Sequence, residues 1–77
     1  MTLQDAVRAR LAQLMKEKGY PAYRLSKEGG VPRATISQIL SGKNGKIKLD
    51  TLYQIVVTMG VSLGDFFASE LFSDIAD

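Results

Sequence analysis

The chain has 77 residues, of which 45% are hydrophobic, and a formal net charge of +2. This length predicts one small domain over residues 1–77, and the apolar share is that of a folded protein. The chain contains no cysteine and no histidine, which excludes disulfides, zinc modules, and sites built on a Cys–His pair or a Ser–His–Asp triad. We therefore expect no metal, no cofactor and no enzymatic activity. No apolar run reaches the ~18–20 residues of a membrane span, so we expect a cytoplasmic protein without membrane contact.

The charges are divided unevenly along the chain. Residues 1–49 hold all ten lysines and arginines and three acids, whereas residues 50–77 hold five acids and no basic residue. The first part therefore has a net charge of +7 and the second a net charge of −5. A basic surface of this kind is typical of proteins that bind a polyanion such as nucleic acid. Ordinary solvated charges are the alternative that this division alone leaves open.

The first predicted helix begins near the start of the chain and ends at Gly19. Thr2 and Asp5 form a capping pair, in which the hydroxyl accepts from an early N–H and the acid lies at the positive end of the helix. Glycine ends a helix readily because it adopts positive φ without a steric penalty. The apolar residues of this helix lie on one stripe and are Leu3, Val7, Leu11 and Leu14.

A proline begins each of the next two predicted helices, Pro21 the second and Pro32 the third. Proline suits the start of a helix because the N–H that it lacks would have no partner there. Gly29-Gly30 ends the second helix and Gly42 ends the third. The two short helices, over residues 22–42, are thus joined by a tight glycine turn, which predicts axes that cross steeply.

Two further helices are predicted in the acidic part of the chain. Asp50 is the expected N-cap of the fourth helix, and Ser62 with Asp65 forms a capping pair for the fifth. The tail that follows has apolar residues but a weaker helix signal. The sequence therefore predicts an all-α protein, a compact five-helix bundle without internal repeats. The apolar stripe of the fourth helix consists of Leu52, Ile55, Val56 and Met59.

The third predicted helix has an outer face without an acidic residue. Its outward residues are Arg33, Ala34, Ser37 and Gln38. Such side chains suit base edges, because arginine can bond guanine through two hydrogen bonds, glutamine can bond adenine and an alanine methyl can pack on thymine. A solvated helix face is the alternative for these residues.

Two stretches of the sequence carry a family resemblance. The run L-S-K-E-G-G-V-P-R-A-T-I-S-Q-I-L-S-G-K resembles the helix-turn-helix of the Cro and phage-repressor type, also called the XRE type. The run L-D-T-L-Y-Q-I-V-V-T-M-G-V-S-L-G-D-F-F is similar to the fourth and fifth helices of that family. The resemblance covers about residues 3–67 and implies a lambda-repressor-like fold.

The resemblance also implies roles for individual residues. Residues 32–40 would form the recognition helix in the major groove of double-stranded DNA, with Arg33, Ala34, Ser37 and Gln38 reading bases. Many members have Ser or Thr followed by Gln at the start of the second helix, where this chain has Pro21 and Ala22. Tyr23 or Arg24 would therefore replace that phosphate contact. The residues expected to contact phosphates are Tyr23, Arg24, Thr35, Lys43, Asn44 and Lys46.

The expected function is that of a DNA-binding transcriptional regulator, a repressor that binds a palindromic operator as a homodimer. A chain this small occupies one major groove but not two that lie a helical turn of ~34 Å apart. The C-terminal segment, residues 66–77, is the expected dimer interface, with a tail folded back on its own core as the alternative. An antitoxin-like module that binds a partner protein through this segment is the second functional hypothesis. The expected interface residues are Phe66, Phe67, Leu71, Phe72 and Ile75.

Overall fold

The computed structural model describes residues 1–43 and 45–76, and in these ranges the regular structure is entirely helical. This confirms the predicted all-α fold with five α-helices. None of the helices in these ranges is long and apolar enough to cross a membrane. The helices are α1 (Leu3–Lys18), α2 (Ala22–Gly29), α3 (Arg33–Ser41), α4 (Leu49–Thr58) and α5 (Leu63–Phe67), and a 3-10 turn (Glu70–Phe72) follows them.

The predicted caps of α1 and α5 are confirmed. The Thr2 hydroxyl accepts from the Asp5 N–H at 3.2 Å, and the Ser62 hydroxyl accepts from the Asp65 N–H at 3.0 Å. Each hydroxyl accepts a hydrogen bond from an N–H in the first turn of its helix, which has no partner within the helix.

The predicted N-cap of α4 was wrong. The cap residue is Lys48, and Asp50 lies inside the first turn, where its carboxylate accepts from the N–H of Thr51 at 2.8 Å. The segment before the helix is held by a distant part of the chain. The Ile47 N–H donates to the Gln4 side-chain oxygen at 3.0 Å, a contact across 43 positions of sequence.

One hydrophobic core joins all five helices. Its largest fully buried side chains are Leu11, Leu25, Ile36, Ile39, Ile55, Val56 and Phe66. Leu3 differs from the prediction, because it is exposed rather than part of the buried stripe of α1. It lies in the first turn of α1, beside Leu49 and Phe67 at the edge of a shallow depression.

Two arginines of α1 hold the ends of other helices. Arg8 donates from Nε to the Ile39 carbonyl of α3 at 2.9 Å, and Arg10 donates from Nε to the Phe66 carbonyl of α5 at 2.8 Å. Carbonyls in the last turn of a helix lack intrahelical partners and attract cations. Both arginines are therefore engaged within the chain. Arg8 fixes the C-terminal end of α3 relative to α1.

The C-terminal tail lies against its own chain. The Phe72 ring is 4.9 Å from the Phe67 ring between centroids, and the Ala76 N–H donates to the Met1 carbonyl at 3.0 Å. Leu71, Phe72 and Ile75 are half-buried. Phe66 is fully buried, so its assignment to a dimer interface was wrong, because it has no surface to offer a second chain.

Candidate nucleic-acid interface

The turn between α2 and α3 is shaped by two glycines with different roles. Gly30 has φ 75°, a left-handed conformation that other residues rarely adopt. Gly29 lies so close to α4 that a Cβ there would be 2.5 Å from the Thr58 hydroxyl oxygen. The turn therefore lets α2 pack closely on α4 while α3 begins in a new direction.

A side chain of α4 also holds this turn in place. The Gln54 side-chain N–H donates to the Gly29 carbonyl at 2.8 Å, and the Thr58 hydroxyl donates to the Gln54 carbonyl at 2.7 Å. Sequence reasoning missed Gln54, because its partner is 25 positions away and nothing in the local pattern marks it. The result is a helix-turn-helix whose turn is anchored from a third helix.

The outer face of α3 is a solvent-exposed ridge made of Arg33, Ala34, Ser37 and Gln38. The opposite face of the helix is buried through Ile36 and Ile39. With the described residues, the Arg33 and Gln38 side chains form no hydrogen bond or ion pair. The structure thus brings the four predicted base readers together on one open surface, and we call them the α3 ridge. The helix spans residues 33–41 with Pro32 as its N-cap, one position later than predicted.

Thr35 lies at the side of this ridge rather than on it. It is half-buried and lines a depression of about 370 Å³ between α3 and the start of α4, together with Lys46 and Lys48. A hydroxyl beside two lysines is a suitable environment for a phosphate oxygen. The depression therefore places Lys48 beside Thr35 and Lys46, two of the predicted phosphate contacts.

The loop after α3 is basic and exposed. The Lys43 backbone N–H donates to the Gln38 carbonyl at 3.0 Å, which ties the start of the loop to the end of α3. The side chains of Lys43 and Lys46 are exposed. Asn44, also a predicted phosphate contact, lies outside the described residues.

The two candidates on α2 differ in their availability. Tyr23 is exposed on the helix surface. Arg24 is engaged within the chain, because its Nε donates to Glu28 at 2.7 Å and its guanidinium carbon lies 3.9 Å from the centre of the Tyr20 ring. The hydrogen bond with Glu28 raises the pKa of Arg24 above its ordinary value. Of the two, Tyr23 is the freer to meet a phosphate.

The helices of this surface begin without side-chain caps. The N-cap residues of α2, α3 and α4 are Pro21, Pro32 and Lys48, and none of them accepts a hydrogen bond from its helix through its side chain. The first turns of α2 and α3 also have no acidic residue. Backbone N–H groups at such ends can bind anions, because they lack internal partners and lie at the positive end of the helix dipole.

Comparison with known families identifies the class of protein that this fold and surface define. A helix-turn-helix family model matches residues 11–66. The chain therefore belongs to the helix-turn-helix family of the Cro and phage-repressor, or XRE, type, and it is a DNA-binding regulator of that type. Neither a curated protein nor a solved structure matched the chain.

Proposed function

We propose that this protein is a homodimeric transcriptional repressor that binds a palindromic operator with α3 in the major groove. The observation that carries the proposal is the open α3 ridge. It is free of acids, exposed along its length and fixed to the core by its opposite face. A rigid helix with such a face fits the width of the major groove of double-stranded DNA.

The residues of the ridge support direct reading of bases. Arg33 lies in the first turn of α3 and has a guanidinium free to donate two hydrogen bonds to a guanine. Gln38 lies just over one turn further along and has an amide that can bond adenine. Ala34 offers a methyl group to thymine and Ser37 a short hydroxyl, so neither holds the helix away from the bases.

The surroundings of the ridge support binding to the DNA backbone. Lys43 and Lys46 follow the recognition helix, Thr35 lies beside the depression, and Tyr23 is exposed on α2. The open N-terminus of α2 can donate to a phosphate oxygen. The part of the chain from residue 50 onward has only acidic charges.

The size of the molecule supports a dimer. Its Cα radius of gyration is 11.6 Å and its longest extent is 34 Å. One such molecule reaches one half-site, and a single small module buries only about 600–1,000 Å² on DNA. A two-fold pair reads two half-sites about one helical turn apart, so its operator has inverted symmetry.

Selection of bound sites from random duplex DNA tests this proposal. We expect two inverted half-sites with centres about 10 base pairs apart or a multiple of that, and transcription that falls when the site is placed within a promoter. Selected DNA without shared sequence would contradict base reading by α3. Activation in the reporter would contradict the repressor role alone.

The alternative of an antitoxin-like module has weaker support. That hypothesis needs residues 66–77 to be open to a partner protein. Instead Phe66 is fully buried, and the half-buried tail is tied to the N-terminus through Ala76 and Met1.

A further inference from the structure

Helix α4 has two apolar stripes that lie beside each other. Six of its ten residues are apolar. Leu52, Ile55 and Val56 are buried in the core, whereas a second, outer stripe beside them is exposed. Leu49, Tyr53 and Val57 of this second stripe are 65%, 52% and 50% exposed. The apolar stripe of a surface helix normally packs against another element, and within one copy the described residues leave this second stripe exposed.

The outer stripe continues onto neighbouring elements. Leu49 lines a depression of about 110 Å³ together with Leu3 and Phe67, both of which are themselves exposed. We call Leu3, Leu49, Tyr53, Val57 and Phe67 the α4 patch. Their exposed side chains add up to roughly 500 Å², at the upper end of the apolar patches that monomers expose. None of the five residues is charged.

We propose that the α4 patch is the surface on which a second copy of this chain docks in a two-fold dimer. This inference rests on the proposed function, because it names the surface through which the proposed repressor pairs. Two patches of roughly 500 Å² bury up to about 1,000 Å² together, which is the lower limit for a biological interface. A patch without charges also fits its own copy without repulsion, as a two-fold contact requires.

The spacing of the outer stripe fits this pairing. Leu49, Tyr53 and Val57 are four residues apart and form a ridge along α4. Ridges of this spacing pack into the grooves of an equivalent helix. When two copies of α4 cross about a two-fold axis, Tyr53 lies at the centre of the contact and meets its counterpart.

The position of the patch fits simultaneous binding to DNA. Leu49 directly follows Lys48, which lines the depression beside α3. A dimer formed there brings the basic loops of both copies close to the two-fold axis. The recognition helices then lie on either side of that axis. The tail predicted as the interface offers less surface, because Leu71, Phe72 and Ile75 are half-buried on their own chain.

Sedimentation of the free protein, without DNA, tests the inference. We expect a dimer for the unaltered chain. Tyr53→Asp should raise the dimer dissociation constant by at least about 100-fold, since it places a charge at the centre of a dry contact. Ala12→Asp introduces the same charge on the exposed face of α1 and should leave the dimer intact. Far-UV circular dichroism checks that both variants remain helical.

A mixing experiment tests self-pairing at Tyr53. Tyr53→Asp and Tyr53→Lys should each be monomeric alone and should form a dimer when mixed, because opposite charges then meet at the axis. A monomeric unaltered chain, a helical Tyr53→Asp variant that still dimerises, or a mixture that stays monomeric would each overturn the inference. If Tyr53→Asp disrupts the dimer but the unaltered protein prefers no DNA sequence, the result would support the inference and contradict the proposed function.

Discussion

The helix pair α2 and α3 begins in a different way from helices α1 and α5. In the acidic part, α5 is capped by the Ser62 hydroxyl and has Asp65 in its first turn. On the basic side, α2 and α3 begin at Pro21 and Pro32, without a side-chain cap and without an acid in the first turn. A cap and an acid satisfy the positive end of a helix from within the chain. An open end leaves that interaction for an external anion, which fits the proposed placement of α2 and α3 against DNA phosphates.

An acid introduced at the N-terminus of α3 gives the strongest test of this difference between the helix N-termini. Ala34→Glu places an acid in the first turn of α3, where it should stabilise the helix by about 0.3–1 kcal/mol. The same acid faces phosphates and base acceptors in the groove and should weaken operator binding by several kcal/mol. Urea denaturation and fluorescence anisotropy with labelled operator measure the two effects.

Ala12→Glu on α1 is the matched control for Ala34→Glu, since it makes the same change of charge away from the ridge. It should leave operator affinity nearly unchanged. Equal loss of affinity in both variants would show that overall charge, rather than the α3 end, governs binding.

Removing the guanidinium of the ridge should have the next largest effect. Arg33→Ala should weaken operator binding by about 1–3 kcal/mol per half-site and change binding to random duplex DNA little. The reason is that Arg33 is expected to contact a base rather than a phosphate. Competition binding with operator and random DNA measures both. Equal losses on the two DNAs would make Arg33 a phosphate contact.

Removing a cap from the acidic part should affect stability and not DNA binding. Ser62→Ala takes away the acceptor of the Asp65 N–H and should lower the free energy of unfolding by about 1 kcal/mol. Ser73→Ala, at an exposed serine of the tail, should change it by less than about 0.5 kcal/mol. Urea denaturation at one fixed protein concentration compares the two. An equal effect of both changes would show that the cap contributes nothing.

The smallest expected effect is on the salt dependence of binding. Lys43→Ala should reduce the log–log slope of affinity against salt by about 2 per dimer, one for each lost phosphate contact. Arg24→Ala makes the same change of charge but should reduce the slope less, because the Arg24 guanidinium is already engaged with Glu28 and Tyr20. Titrations at several salt concentrations measure the slopes. If Arg24→Ala reduced the slope more than Lys43→Ala, then Arg24 rather than Lys43 would be the phosphate contact.

Local signals in the sequence predicted much of the fold. The caps at Thr2 and Ser62 and the glycines that end α1 and α3 act on their own helices, so they can be recognised from neighbouring residues. The residues of the α3 ridge could also be predicted, since the three-to-four-residue spacing of the apolar positions shows which face of the helix is buried.

Contacts between distant parts of the chain could not be predicted in the same way. Arg8 binds a carbonyl 31 positions away and Gln54 one 25 positions away. The exposed stripe of α4 was also missed, because helical spacing showed the core stripe but does not show whether the apolar residues beside it are covered. The neighbouring residues Phe66 and Phe67 could not be told apart either, since the structure buries Phe66 and exposes Phe67.

Base reading by α3 is tested most directly by a double-mutant cycle between Arg33 and one guanine of the selected operator. Binding is measured for the unaltered protein and Arg33→Ala, each with normal operator and with operator that has 7-deazaguanine at that position. The substitution removes the N7 acceptor of the guanine. Base reading by Arg33 predicts a coupling free energy of about 1 kcal/mol or more. Coupling near zero at every guanine of the half-site would contradict it.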